Sequence, residues 1–187
     1  MQKQNTKKNV KEANTPGRKA DVAKTVYQSM MDRAIKYVHI MTPYFVVERE
    51  FLDSMRYAAQ RGVEVAMILP HIPDKKAVYY IARTYYRELL KAGIKVYEYT
   101  PGFIHAKCFI SDDVSAVVGT VNLDYRSFYP HFECGACFYD NQVVEQAEAD
   151  LSNTLEVCQE VTMDYYKKIP LYQKMAGKMF KLFAPLL

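Results

Sequence analysis

Between Gly102 and Phe128 the sequence reads GFIHAKCFISDDVSAVVGTVNLDYRSF, which sets a histidine, a lysine, an aspartate and an asparagine among strand-forming residues where packing alone favours valine. Residues two apart on a strand share a face, so His105 and Lys107 project together. If the chain reverses at Asp112-Asp113, Lys107 falls opposite about position 118 and His105 opposite about Thr120, which brings Asn122 near the histidine. An imidazole, an ammonium and an amide beside the small residues Gly119 and Thr120 suit a phosphoryl group. Lys107 supplies charge, Asn122 supplies a directional N–H donor, and both stabilise negative charge that spreads in a transition state. His105 can attack phosphorus or carry a proton.

A nucleophilic imidazole presents a neutral nitrogen when its other nitrogen donates to a fixed carboxylate, and Glu133, opening the next strand-like run, is the carboxylate best placed for this. Asp112 either joins the set or fixes the hairpin. His39, His71 and His131 have no comparable partner set and are assigned structural or rim roles. Arg126 and Ser127 are candidates for contacts to a substrate headgroup, with an Arg126–Asp124 pair that holds the loop as the plainer assignment. Tyr44 in TPYF is expected at the rim of the site.

Alternating helix and strand patterns position this stretch. Helices are expected over 21–36, 48–60 and 74–90, the last capped by Asp74 and ended by Gly93; strands are expected over 37–42, 63–69 and 94–99. The hairpin AKCFIS–VSAVVG follows, then a strand in CGACFYD and a long helix from Asn141 to Glu160. Crossovers followed by a hairpin argue for an α/β fold, with a mixed sheet flanked by helices on both faces. In the final stretch Leu171, Met175, Met179, Leu182 and Leu186 recur on one helical face with Lys174, Lys178 and Lys181 opposite, a basic amphipathic helix able to lie on anionic lipid, on the core or on a second subunit.

The 187 residues, half of them apolar, suffice for one domain with a substantial core. Three segments are expected: a disordered basic lead-in over 1–20, a catalytic domain over 21–168 and the amphipathic helix over 169–187. A formal charge of +4 singles out neither nucleic acid nor anionic lipid. No apolar run reaches the roughly twenty residues a membrane span needs. Cys134 and Cys137 form a CxxC without a second ligand pair and read as buried thiols.

The gapless spacing His105-x-Lys107-x4-Asp112-x6-Gly119-Thr120-x-Asn122 is identified as the HKD motif of the phospholipase D superfamily. More narrowly, IMTPYFV, AAQRGVEVAMILP, YYRELLKAGIKVYEYTPGFIHAK, VGTVNLDYRSF and FECG resemble, in order, segments of the C-terminal half of bacterial cardiolipin synthases. Thr120 stands where the superfamily often has serine, and a hydroxyl remains. The resemblance implies a phospholipase D-like fold holding one HKD half. It implies that His105 becomes a phosphohistidine, that Lys107 and Asn122, with Gly119 and Thr120, bind the phosphate, and that Glu133 orients a motif histidine. It also implies no metal and no organic cofactor, phosphatidylglycerol as substrate, and a peripheral location on the cytoplasmic side of the bacterial cell membrane.

Cardiolipin synthases resemble two fused HKD halves whose histidines act together, whereas this chain carries one such motif. The second is expected from another chain, either in a homodimer or in a separate N-terminal half. The alternatives are a single-motif homodimeric phosphodiesterase or nuclease, and an inactive truncated half. Nucleic acid is the less favoured partner, because the tyrosines fall in the cardiolipin synthase-like segments YYRELL and YEYTPGF.

Overall fold

The computed structural model describes residues 10–14, 22–129 and 131–184. Among them, eight strands form one mixed sheet: β1 (Val10–Asn14), β2 (Tyr37–Met41), β4 (Glu64–Pro70), β5 (Lys95–Tyr99), β6 (Cys108–Ser111), β7 (Ser115–Gly119), β9 (Glu133–Tyr139) and β10 (Cys158–Glu160), in the order β1-β9-β7-β6-β2-β4-β5-β10. A small parallel pair, β3 (Phe45–Val46) with β8 (Leu123–Asp124), lies beside it. β2, β4 and β5 run parallel and are joined by helical crossovers; β6, β7 and β9 form an antiparallel meander.

Helices cover both faces. α1 (Val22–Arg33), α2 (Arg49–Gln60) and α3 (Lys76–Lys91) bury Tyr27, Met31, Phe51, Met55, Tyr85 and Leu89 against one face of the sheet. α5 (Gln142–Leu155) buries Val144 and Leu151 against Ile68 and Ile110 on the other. Along β6 the alternation is direct: Cys108 and Ile110 enter the α5 core, and Phe109 between them enters the larger one. Burial on both faces is why β2 and β4 read as nearly continuous apolar runs.

Several expectations shift. Val10–Asn14, expected in the disordered lead-in, pair antiparallel with β9 as an edge strand; the rest of that lead-in lies outside the described residues. The helix expected over 141–160 starts as foreseen, with Asn141 accepting from the Val143 N–H, but ends at Leu155; Cys158–Glu160 leave it to pair with β5 at the opposite sheet edge. Asp74 does not cap α3: the N-cap is Lys75, and the Asp74 carboxylate accepts instead from the Tyr44 hydroxyl and the Lys75 N–H. Cys137 is buried while Cys134 is exposed, as their odd spacing on one strand requires.

Downstream, α6 (Met163–Lys168) and α7 (Leu171–Lys181) pack on α3. A buried carboxylate ties this corner together. Glu98 of β5 accepts from the Arg83 guanidinium, the Tyr86 and Tyr165 hydroxyls and His71 Nδ1, at 2.7–3.2 Å. Its charge is thus both paired and fully hydrogen-bonded.

The hairpin turn carries Asp112. The chain reverses through three residues, Asp112 to Val114, so Ser111 pairs with Ser115 and Cys108 with Val118. This is one residue out of the expected register, which presumed a turn of two. Asp112 adopts φ 58° and its carboxylate accepts from the N–H groups of Ile35, Lys36 and Tyr37 at 2.7–2.8 Å. Partial burial raises its pKa, but these three donors outweigh that and hold it below the ordinary value. A depressed folded-state pKa stabilises the fold above the unfolded value near 3.8, and the contribution fades as pH falls through the folded value. Asp112→Asn, which tolerates the same backbone, is therefore expected to lower stability by about 1 kcal/mol at neutral pH, allowing for solvent screening. Urea titrations should find the gap to wild type closing below pH 4; a gap independent of pH would count against the carboxylate's charge as the cause.

Candidate active site

Five of the expected residues, His105, Lys107, Gly119, Thr120 and Asn122, line one cleft. Gly102 to Lys107 run without regular structure into β6, so His105 and Lys107 precede the strand rather than lie on it. The pairing nevertheless continues, with the Gly119 N–H donating to the Lys107 carbonyl at 3.2 Å. Lys107 Nζ donates to the His105 carbonyl at 2.8 Å and lies 3.0 Å from both nitrogens of the His105 ring. Burial holds its pKa below the usual lysine value, against the pull of Glu133 and Asp124. The cleft, of about 620 Å³, is lined by His105, Lys107 and Asn122, by the apolar Met41, Cys108 and Val118, and by Asp150 of α5.

Above His105 stand two aromatic rings, Phe103 at 5.6 Å and Tyr44 at 6.5 Å between centroids. Tyr44, expected at the rim, stands beside His105 but lines a neighbouring pocket with Asp74 and Tyr79 rather than this cleft. Burial and the Asp74 carboxylate raise the Tyr44 pKa, so its hydroxyl stays protonated. Phe103 was not foreseen as a site residue; its signal was an exposed aromatic two residues before the motif histidine.

Asn122 and Glu133 are joined through Ser127. The Asn122 amide donates to Ser127 Oγ at 3.0 Å, and Ser127 Oγ donates to Glu133 at 2.9 Å. The second Glu133 oxygen accepts from the Thr120 hydroxyl. Asn122 Oδ1 is buried without a donor among the described residues. Ser127 is held by its own N–H, which donates to Asp124 at 2.7 Å at the start of the short helix α4 (Tyr125–Phe128). Burial first, with Glu133 adding, raises the Asp124 pKa. Sequence reasoning placed Ser127 among headgroup contacts; it is fully buried and bridges two site residues instead. The legible signal was the spacing Asp124-x-x-Ser127, a helix-start pattern. Arg126 donates to His131 Nε2 at 3.2 Å, in place of the expected partner Asp124.

Three expected roles change. Asp112, at the far end of β6 from His105, is committed to backbone N–H groups and is not part of the cleft. Glu133 bonds to Thr120 and Ser127, with no bond to His105 among the described contacts. Gly119 and Thr120 line the cleft, but their backbone N–H groups go to Lys107 and Cys134 and the Thr120 hydroxyl to Glu133, so they shape the site rather than offer donors to it. The other histidines sit apart from the cleft lining: His39 Nδ1 is 2.8 Å from Glu148, His71 Nδ1 is 2.7 Å from Glu98, and His131 Nδ1 is 3.9 Å from Glu133.

A mixed, doubly covered sheet with His105, Lys107 and Asn122 gathered at the mouth of the β6–β7 hairpin is the arrangement of a phospholipase D-like domain. The family described as "Cardiolipin synthase, PLD-like domain" matches residues 27–155, and the chain belongs to it. Cardiolipin synthase 2 of Bacillus cereus is 37% identical over 175 residues, covering 94% of this chain and 34% of that protein. An uncharacterized protein of Streptococcus mutans is 46% identical over 166 residues, covering 89% of this chain and 36% of its own length. The chain thus spans about a third of these relatives. Among solved structures, the phospholipase D family member Nuc of Salmonella typhimurium superposes with a TM-score of 0.69 at 16% identity, over 82% of this chain and 99% of that one. Phosphatidylserine synthase of Haemophilus influenzae gives 0.72 at 19%, over all of this chain and 47% of that one. The fold is therefore the α/β phospholipase D-like one.

Gly119 sits where the β7 and β9 backbones touch. A Cβ there would lie 2.3 Å from the Cys134 carbonyl oxygen and 2.6 Å from the Gly135 Cα, and backbone cannot move aside as a side chain can. Gly119→Ala is expected to cost on the order of 2 kcal/mol in denaturant unfolding; an alanine variant as stable as wild type would contradict this close approach.

Proposed function

We propose that the chain is one half of a cardiolipin synthase-like phosphatidyltransferase, joining two phosphatidylglycerol molecules into cardiolipin with release of glycerol. The observation that carries this reading is the meeting of His105, Lys107 and Asn122 in one cleft of a chain whose relatives include cardiolipin synthases. In the first step a neutral His105 nitrogen attacks phosphorus. A P–N bond forms, the P–O bond to the departing glycerol breaks, and a proton from a second histidine converts the alkoxide to an alcohol. In the second step a glycerol hydroxyl of another phosphatidylglycerol gives that proton back to the second histidine and attacks the phosphohistidine, and the P–N bond breaks.

Lys107 and the remaining Asn122 N–H hold the phosphate oxygens as charge spreads over them. The second histidine comes from another chain, in a homodimer or in a separate N-terminal half, because the other histidines here are engaged away from the cleft. Glu133, bonded within its own chain and absent from His105, is then available to the motif histidine of that partner. The site works at an anionic membrane surface on the cytoplasmic side, without metal or organic cofactor.

A second reading has one observation in its favour. Nuc of Salmonella typhimurium and NucT of Helicobacter pylori are covered almost end to end by this chain, at 99% and 100% of their lengths, so a unit of this size can make up a whole solved chain of the fold. A single-motif homodimeric phosphodiesterase or nuclease would then be the activity, and salt-dependent DNA binding would be its mark.

With phosphatidylglycerol vesicles the purified chain is expected to release glycerol and form cardiolipin, and His105→Ala to lower the rate by about 10³-fold or more. Product from the alanine variant at the wild-type rate would remove His105 from the chemistry. Two histidines sharing one phosphate titrate as a coupled pair, so kcat/KM should be bell-shaped in pH. A flat profile between about pH 5 and 9 would contradict the paired mechanism.

A further inference from the structure

α7 docks on α3 by the face opposite to the one its pattern suggests. Gly177 is buried so closely that a Cβ there would lie 2.2 Å from the Tyr80 carbonyl oxygen. Gln173 accepts from Arg83 at 2.9 Å, the Lys181 ammonium lies 3.5 Å from the centre of the Tyr85 ring, and Ala184 is buried beyond the helix end. The apolar stripe is left outside: Leu171 is 71% exposed, Met175 63%, Met179 54% and Leu182 80%, with Tyr172 and Phe183 beside it, also exposed. These are six of the sixteen exposed large hydrophobic side chains among the described residues, and they adjoin one another along α7 and just past its end. The stripe contributes little to holding α7 in place, since Gly177 and its neighbours do that.

The charge around the stripe is of one sign. From Tyr165 to Ala184 the sequence carries Lys167, Lys168, Lys174, Lys178 and Lys181 and no acidic residue. At helical spacing the last three fall along one flank of the stripe, between it and the docked face, rather than opposite it as the pattern suggested. Lys178 also opens, with Arg87 and Lys91, onto a groove of about 500 Å³ between α2 and α3 whose lining also holds Arg49 and Arg56, both paired with Glu88. An apolar stripe bordered on one flank by lysines is the arrangement of a helix resting in a lipid interface. The Lys174 ammonium lies over the Tyr166 ring and donates to the Lys167 carbonyl, and the Lys181 ammonium lies over the Tyr85 ring, so among the described contacts Lys178 is the lysine of the three with no such ring contact.

We infer that the exposed face of α7 docks the protein laterally onto an anionic phospholipid bilayer, with Leu171, Met175, Met179 and Leu182 entering the interface. A second copy of the chain is the less suitable occupant, since pairing two such faces would bring their lysines together without counter-charge. The inference concerns a surface separate from the catalytic cleft and stands whether or not the chain is a phosphatidyltransferase.

The test is flotation of the full chain with vesicles of phosphatidylglycerol and, separately, of phosphatidylcholine. Wild type should float with the former and far less with the latter. Met175→Gln/Met179→Gln/Leu182→Gln should weaken partitioning by about ten-fold or more with its melting temperature unchanged, because these side chains are already in water. Lys174→Gln/Lys178→Gln should weaken it on phosphatidylglycerol alone, and this pair supports or refutes the inference should the triple variant fail to fold. His105→Ala should float as wild type does, which separates failure of docking from failure of catalysis. Equal flotation of the triple variant and wild type, equal affinity for the two lipids, or a wild-type dimer that the triple variant abolishes while vesicle binding persists would each overturn the inference.

Discussion

The contact between Gly119 and the Cys134 carbonyl governs the geometry of the site. Because β7 lacks a side chain there, its backbone comes against that of β9, and the Thr120 N–H reaches the Cys134 carbonyl at 2.9 Å. That pins the segment after β7, so that Thr120 and Ser127 both reach Glu133 and Asn122 is turned toward Lys107 and His105. A side chain at 119 would separate the strands at the point where one provides the amide and the other the carboxylate. The glycine of the motif is therefore a spacing element, and the donors belong to its neighbours.

A second constraint acts on the opposite side of the sheet. Glu98 is fully buried, a costly position for a carboxylate unless it is paired and saturated with donors. Its donors come from β5's neighbours in space: Arg83 and Tyr86 of α3, Tyr165 of α6, and His71 just past β4. One side chain thus ties the last helices to the sheet and holds the loop after β4, which runs on to Asp74 beneath Tyr44 and so to the side of His105. Tyr44 is positioned by this chain of polar contacts as well as by packing.

The meeting of His105, Lys107 and Asn122 was legible in the sequence because they lie close along the chain, where spacing alone fixes which residues face one another. The main crossovers were legible for a related reason: apolar period and the stops at Gly62 and Gly93, both at positive φ, are local signals. What escaped depends on partners distant in sequence. Cys158–Glu160 become a strand only because β5 offers an open edge, and Val10–Asn14 only because β9 does. The hairpin register escaped by one residue because Val114 belongs to the turn, and an aliphatic residue gives no turn signal. Asp112 could not be assigned from its motif position, since its three donors come from the end of α1 and the start of β2. Glu133 was expected beside His105 but bonds to Thr120 and Ser127, because the bridging Ser127 is brought in by a helix of four residues.

On the proposed reading, the half-site explains why another chain is required. Phosphodiester transfer through a phosphohistidine needs one imidazole to attack and another to move a proton. His105 has the Lys107 ammonium 3.0 Å from both ring nitrogens and a cleft open to solvent before it. The other histidines cannot take the second role from where they stand: His39 is held between Glu148 and Glu64, His71 by the buried Glu98, and His131 by Arg126 near Glu133. Moving any of them would take one partner from a buried or half-buried carboxylate, a change costing more than a surface rearrangement. An exposed imidazole on a second copy or a second half reaches the same phosphate with none of these contacts broken. A two-fold axis passing near the phosphate would bring exactly such a group, and would bring the partner's Lys107 and Asn122 with it, doubling the donors around the charge that builds in the transition state.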